Sequence, residues 1–193
     1  LQTLTQVAFE IDRDMAETKR LADQILLIDD NNTSAMLWSA QASAVTGDIR
    51  QAADLYVRLI RYRPAIIQQM AEVARQLATL DRVDDARILY EKAMMAAPEN
   101  GDIRKAWEQL VDKQGGDKAV RAAYDRIIVE SHNDLQIYDL YTDYLKRADD
   151  WPAVVAIREK TLEVDPRYVP SLLDLANANL REKNFDKAEP FFN

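Results

Sequence analysis

The sequence predicts an all-α protein built from stacked antiparallel helix-turn-helix hairpins, the architecture of an α-solenoid. Glycine and proline are scarce, at 4 and 6 of 193 residues, and a chain with so few turn-forming residues is unlike a β protein. Apolar side chains recur at steps of three and four, as they do on one face of a helix. The sequence pattern also returns every 34 residues, a period typical of helical repeats.

Three series of positions carry this period. Hairpin junctions recur at Pro64, Pro98, His132 and Pro166. A compact side chain recurs at Ala52, Ala86, Val120, Val154 and Ala188. An aromatic side chain recurs, broken once by arginine, at Tyr56, Tyr90, Tyr124, Arg158 and Phe192. Together they predict one array with units at approximately 1–32 (partial or divergent), 33–66, 67–100, 101–134, 135–168 and 169–193 (truncated).

The elements within a unit follow from local patterns. In the unit that starts at residue 67, apolar stripes predict helices over residues 67–80 and 83–97, separated by a polar break at 81–82. Residues 18–32 are interpreted as the second helix of a preceding unit. Residues that tolerate a left-handed backbone are followed by acidic residues at 47–48, 115–117 and 149–150, which predicts a tight turn and a new helix at each break. Trp151-Pro152 is expected to open a helix.

These residues resemble the tetratricopeptide repeat, a family of 34-residue helical hairpins. Two units match its small, aromatic and proline positions best, through Ala40, Ala52, Tyr56 and Pro64, and through Ala74, Ala86, Tyr90 and Pro98. The resemblance implies a right-handed superhelix of about five and a half units. It also implies that the first helices of successive units line a concave groove that binds protein.

Residues 101–168 depart from the family pattern. Larger or polar residues replace its small, aromatic and proline positions at Glu108, Thr142, Arg158 and His132. The aromatic residues of this stretch resemble the half-tetratricopeptide variant found in RNA-processing scaffolds: Trp107, Tyr138 and Tyr141. Such a scaffold is therefore one alternative reading. Another is a docking arm of a larger secretion or envelope-assembly machine.

The sequence offers little for catalysis. It has no cysteine and one histidine, His132, which argues against thiolate metal sites and histidine triads. Paired aspartates lie at helix starts and unit boundaries, where capping explains them. Gly115-Gly116 lacks the strand and the lysine of a phosphate-binding loop. We therefore predict no catalytic residue, metal site or cofactor.

Charge and hydropathy restrict the partner. The net charge of −8 disfavours nucleic acid and favours a protein or peptide of basic character. No apolar run of membrane-spanning length exists, so this segment is not expected to insert into a bilayer. The lysine and asparagine clamp of chaperone-tail receptors does not fit any three successive units, so a chaperone carboxylate tail is not the expected ligand. Both ends look cut, which suggests a piece of a longer protein. The sequence is compatible with a cytoplasmic or a periplasmic location.

The candidate binding residues follow from the resemblance. Two series of first-helix positions are expected to face the groove: Leu37, Ala71, Lys105, Asp139 and Leu173, and Gln41, Arg75, Gln109, Asp143 and Asn177. The basic members are expected to bind a carboxylate, the acidic members a lysine or arginine, and the amides a peptide backbone. The predicted function is a protein-interaction scaffold within a larger assembly.

Overall fold

The structure is a computed structural model that describes residues 1–192, and of Lys187, Pro190 and Phe192 the backbone alone. Its helices are α1 (Gln2–Val7), α2 (Met15–Ile28), α3 (Thr33–Thr46), α4 (Ile49–Ile60), α5 (Ile66–Thr79), α6 (Val83–Ala96), α7 (Gly101–Glu130), α8 (Leu135–Arg147), α9 (Trp151–Val164), α10 (Val169–Arg181) and α11 (Phe185–Ala188). A π-helical segment, Ala8–Asp12, follows α1, and a 3₁₀ turn, Glu189–Phe192, follows α11. Across this part of the chain there is no strand, so the predicted all-α class is confirmed.

A left-handed residue ends the first helix of each hairpin. These residues are Arg13, Gly47, Asp81, Gly116, Asp149 and Lys183. Five of the six follow the 34-residue period, and Gly116 lies one residue beyond its expected place. The displaced turn interrupts α7, where Gly115 and Gly116 leave helical geometry. The predicted breaks are thus confirmed, and the period also extends back to a turn at Arg13 that the sequence did not reveal.

Polar side chains start many of the helices. In the tight turns, Asp14, Asp48 and Asp150 accept hydrogen bonds from the backbone N–H three residues later. Asn32 and Asn100 do the same where a new hairpin begins. Such caps satisfy N–H groups that have no partner within the helix. The acids at these positions are therefore structural.

The chain divides into two compact units, residues 1–114 and the residues from Gly115 onward. In the first unit α2 packs against α3, α3 against α4, and α5 against α6, while α4 also contacts α5 and α6. In the second unit α8 packs against α9, and α9 against α10. The rings of Tyr124 and Tyr141 stack at 4.8 Å and so join the C-terminal part of α7 to α8.

The periodic residues form the cores of both units. The compact series is buried throughout, and the first-helix alanines Ala40, Ala74 and Ala176 have no exposed surface. Tyr56 and Tyr124 are fully buried beside them. Phe192, the last member of the aromatic series, lies outside the described side chains. Small residues permit the helices to approach closely, and the aromatic rings fill the remaining space.

Replacing Tyr56 with phenylalanine is expected to raise the free energy of unfolding by about 1 kcal/mol. Within residues 1–192 the buried hydroxyl group has no hydrogen-bond partner. Removing it therefore removes the desolvation penalty of an unsatisfied polar group. Burial also raises the pKa of Tyr56. Because the folded-state pKa lies above the unfolded value, stability is expected to fall as the pH rises above 10, and less steeply in the variant.

Urea titrations at neutral and alkaline pH measure both effects. Tyr138 provides the control, because its hydroxyl donates a hydrogen bond to Asn133 Oδ1 at 3.2 Å. Tyr138→Phe is expected to destabilise the protein by about 0.5–1 kcal/mol. A loss of stability in Tyr56→Phe would contradict this prediction, because it would show that the buried hydroxyl makes a stabilising hydrogen bond.

Candidate protein-binding surface

The first unit carries six of the predicted binding residues on three helices. Leu37 and Gln41 lie on α3, Ala71 and Arg75 on α5, and Lys105 and Gln109 on α7. In each pair the residues are four positions apart, so they share one face of their helix. The side chains of Arg75, Lys105 and Gln109 are exposed, whereas the other three are half-buried.

An apolar pocket of about 270 Å³ lies on this side of the first unit. Helices α3 and α5 provide most of its wall, and the π-helical segment, the start of α2 and the turn before α6 complete it. Gln41 is the predicted residue that lines it. The full lining is Phe9, Met15, Gln41, Ala44, Val45, Val73, Gln76, Leu77, Leu80 and Arg82.

The rim of this pocket is open and apolar. The side chains of Val45 and Leu80 are 62% and 69% exposed, which is high for large aliphatic residues. Arg82, which also lines the pocket, is held in place: its Nη1 donates to the Ala44 carbonyl at 2.8 Å, and its Nη2 pairs with Asp85 at 2.6 Å. The pocket therefore combines a fixed lining residue with an accessible apolar rim.

A polar cluster on α5 lies one to two helical turns before Leu80. Arg75 makes two hydrogen bonds to Glu72, at 2.8 and 2.5 Å, and Gln76 Nε2 donates to the same carboxylate at 2.9 Å. These donors lower the pKa of Glu72. Both charged side chains are largely exposed, so the pair contributes little to stability and is free to exchange for a ligand contact.

The second unit carries the other four predicted residues, Asp139 and Asp143 on α8, and Leu173 and Asn177 on α10. Leu173, Asp143 and Asn177 are exposed. Asp139 is half-buried and has partners inside the chain. Its Oδ1 accepts from Arg158 Nη1 at 2.5 Å, and its Oδ2 accepts from the Tyr168 hydroxyl at 2.5 Å. The arginine expected from a partner at this carboxylate is thus provided by the protein itself.

Arg158 is the centre of a buried ionic cluster that sequence reasoning missed. Its side chain is 3% exposed, and its Nε donates to Asp174 Oδ2 at 2.7 Å. Lys146 Nζ lies 2.6 Å from the other oxygen of Asp174. Burial, together with the hydrogen bond to Asp139, raises the pKa of Tyr168 to about 12. The cluster joins α8, α9 and α10.

A spacing in the sequence signals this cluster. Arg158 and Asp174 are 16 residues apart, and the same separation joins Trp107 to Glu91 and Ser39 to Asp23 by hydrogen bonds. It marks where a second helix meets the first helix of the next hairpin. An arginine at an aromatic position with an acid 16 residues later could therefore have predicted the pair.

A second, wider groove of about 740 Å³ lies in the second unit, between α9 and the segment formed by α10 and α11. Trp151 lies at one end of it, with Arg181 stacked over its ring at 4.5 Å. Three carboxylates also line it, those of Glu159, Glu182 and Asp186. None of the predicted binding residues lines this groove.

Other kinds of site are not apparent in the described part of the chain. No group of three histidine, cysteine, aspartate or glutamate residues is placed to hold a metal ion within residues 1–192. Over the same residues no helix has the length and apolar character needed to cross a membrane.

Among known proteins, this chain is similar only to solved structures. No family model and no curated protein matches the chain. The MamA protein is 14% identical, with 83% of this chain and 87% of that one covered at a TM-score of 0.42. A tetratricopeptide repeat protein from Parabacteroides merdae is 11% identical, covering 98% and 75% at 0.39. PilF of Pseudomonas aeruginosa is 12% identical, covering 98% and 86% at 0.36. The tetratricopeptide-type fold of this chain is carried by its own helix pairs and periodic turns.

Proposed function

We propose that this chain is a non-enzymatic scaffold that binds a peptide segment of a partner protein on its first-helix face. The observation that carries the proposal is the apolar pocket between α3 and α5, with its exposed rim of Val45 and Leu80. The six predicted residues on α3, α5 and α7, from Leu37 to Gln109, form the proposed binding surface of the first unit. The exposed predicted residues of α8 and α10, which are Asp143, Leu173 and Asn177, are proposed to add contacts in the second.

The dimensions and chemistry of the pocket suit one apolar side chain of the partner. Its volume of about 270 Å³ is close to the lower end of the range seen for small-ligand sites. The amides of Gln41 and Gln76 lie in the same wall, and each can donate to and accept from a peptide backbone. We expect an apolar anchor to supply most of the binding energy, with the amides fixing the direction of the peptide.

The charges of the surface refine the partner class. In the first unit Arg75 and Lys105 provide exposed cations, whereas Asp143 provides an exposed carboxylate in the second. Because the whole chain carries a net charge of −8, long-range attraction favours a segment that is basic overall. The proposed ligand is therefore a peptide with one large apolar anchor and basic flanks.

Selection from a random peptide display library against the full chain tests this proposal. We expect recovered peptides to share a large apolar residue and a surplus of lysine and arginine. Leu80→Arg places a charge in the mouth of the pocket and is expected to weaken their binding at least about tenfold. Fluorescence anisotropy with a selected peptide measures the change in Kd.

Val129→Arg is the matched control, since Val129 is 73% exposed, a fraction similar to the 69% of Leu80, and does not line the pocket. It is expected to leave the Kd unchanged. Equal weakening by the two variants, or peptides with no shared apolar residue, would contradict the proposal. Recovery of bound RNA with the purified protein, released by moderate salt, would favour the RNA-scaffold alternative.

A further inference from the structure

The outer face of the first unit has an apolar groove unrelated to the proposed peptide site. It has a volume of about 610 Å³ and runs between the second helices of two successive hairpins, α2 and α4. Each helix contributes residues at steps of three and four, which therefore share one face. The lining is Asp23, Leu26, Leu27, Gln51, Asp54, Leu55 and Arg58.

The middle of this groove is unusually apolar for an outer surface. Leu27, which lines the groove, is 88% exposed, and Ile28, which follows it in sequence outside the lining, is 79% exposed. Leu26 extends the apolar surface into the groove, and Leu55 also lines it but is only 5% exposed. Two adjacent aliphatic side chains with this exposure lose favourable burial energy unless another surface covers them.

Two opposite charges flank this apolar strip. Asp54 and Arg58 both lie on α4 and are four residues apart, which places them about 6 Å apart along the helix axis. The Asp54 carboxylate makes no ion pair among the residues that the structure describes. Arg58 donates to the Asp30 carbonyl, lies 3.8 Å from the Asp30 carboxylate, and remains 42% exposed.

This arrangement is complementary to itself. If a two-fold axis crosses α4 midway between the two charges, two copies of the helix run antiparallel. Asp54 then faces Arg58 of the partner subunit, and Arg58 faces Asp54 of the partner subunit. The apolar strip of each copy meets the other between these two ion pairs, as an isologous interface requires.

We propose that the groove between α2 and α4 is a homodimer interface occupied by a second copy of this chain. Leu27 packs at its centre with Leu26 beside it, and the crossed pairs of Asp54 and Arg58 fix the antiparallel register. Apolar packing provides the affinity, and the charges decide the orientation. The peptide-binding face, which uses α3 and α5, stays accessible in the dimer.

Sedimentation equilibrium of the full chain across the micromolar range tests the interface. We expect a reversible monomer–dimer equilibrium, and we expect Leu27→Arg to raise the dissociation constant at least about tenfold. Val129→Arg is again the control, because Val129 occupies the position of Leu27 three repeats later and is 73% exposed. It is expected to leave the dimer intact. A wild-type chain that stays monomeric throughout, or a dimer that Leu27→Arg does not weaken, would overturn the proposal.

A charge exchange distinguishes a second copy from any other partner. Asp54→Arg is expected to weaken the dimer, because it places two arginines opposite each other. Adding Arg58→Asp restores both crossed pairs and is expected to restore the dissociation constant. Since both residues lie on the solvent side of α4, circular dichroism should show folded protein in every variant. Failure of the double variant to recover dimerisation would refute the antiparallel arrangement.

Discussion

Replacing Arg158 with methionine is expected to lower the free energy of unfolding by about 3 kcal/mol. The guanidinium is almost fully buried and is hydrogen-bonded to both Asp139 and Asp174. Its removal leaves the carboxylate of Asp174, which is 10% exposed, with Lys146 as its remaining cationic partner. A buried carboxylate that loses one of its ion-pair partners destabilises the folded state, because its desolvation is no longer fully offset. Methionine retains most of the packing volume of arginine, so the loss of charge is the main effect.

Urea unfolding followed by circular dichroism measures this loss. Arg121→Met is the matched control, because Arg121 also joins two aspartates in the second unit, Asp117 at 2.6 Å and Asp150 at 2.7 Å. Its side chain is 27% exposed, so the control is expected to lose only about 1 kcal/mol or less. Equal losses in the two variants would mean that burial does not strengthen the Arg158 cluster.

Trp107→Ala is expected to cost about 3–5 kcal/mol, the range for removing a fully buried large aromatic side chain. Trp107 has no exposed surface, and its indole Nε1 donates to Glu91 at 3.4 Å across the contact between α6 and α7. The substitution leaves a cavity and also removes a donor from a buried carboxylate. Both effects act on the first unit.

Trp151→Ala in the second unit is the comparison. Trp151 is half-buried, its indole N–H donates to Asp149 at 2.9 Å, and its other main contact is the Arg181 guanidinium. The expected loss is about 1 kcal/mol, as for a partly exposed aromatic residue with a cation over its ring. Thermal unfolding of both variants tests the difference. A smaller loss for Trp107→Ala than for Trp151→Ala would contradict the burial argument.

The fold could be predicted because the residues that indicate its turns and helices lie close together in sequence and recur in each hairpin. Gly47 and the aspartates at 81 and 149 are residue types that tolerate a left-handed backbone, and the structure has that geometry at all three. Arg13 and Lys183 adopt the same geometry, but neither residue type signals it. At the turn of residues 115 and 116, two adjacent glycines let the left-handed position move by one residue, and the sequence does not determine which glycine takes it.

The candidate site was less predictable because it depends on contacts between helices. The 34-residue period places Gln41 and Asp139 on first helices, but it does not indicate that Gln41 lines an apolar pocket. Nor does it indicate that Asp139 is bound by Arg158, which lies 19 residues away. Arg158 interrupted the aromatic series and was visible as an exception. Its partner Asp174 lies at the 16-residue spacing, but its partner Asp139 becomes apparent only when α8 and α9 are packed together.

The distribution of tryptophan gives the two compact units different optical signatures. Trp38 and Trp107 lie in residues 1–114, whereas Trp151 lies in the part of the chain from Gly115 onward. The fully buried indole of Trp107 should emit at short wavelength and resist acrylamide, whereas the partly accessible indole of Trp151 should emit further to the red and be quenched. Because Trp38 is half-buried like Trp151, a Trp38→Phe variant leaves one indole in each unit. Wavelength-resolved fluorescence of that variant can show, without any added label, whether the two units melt together or in sequence.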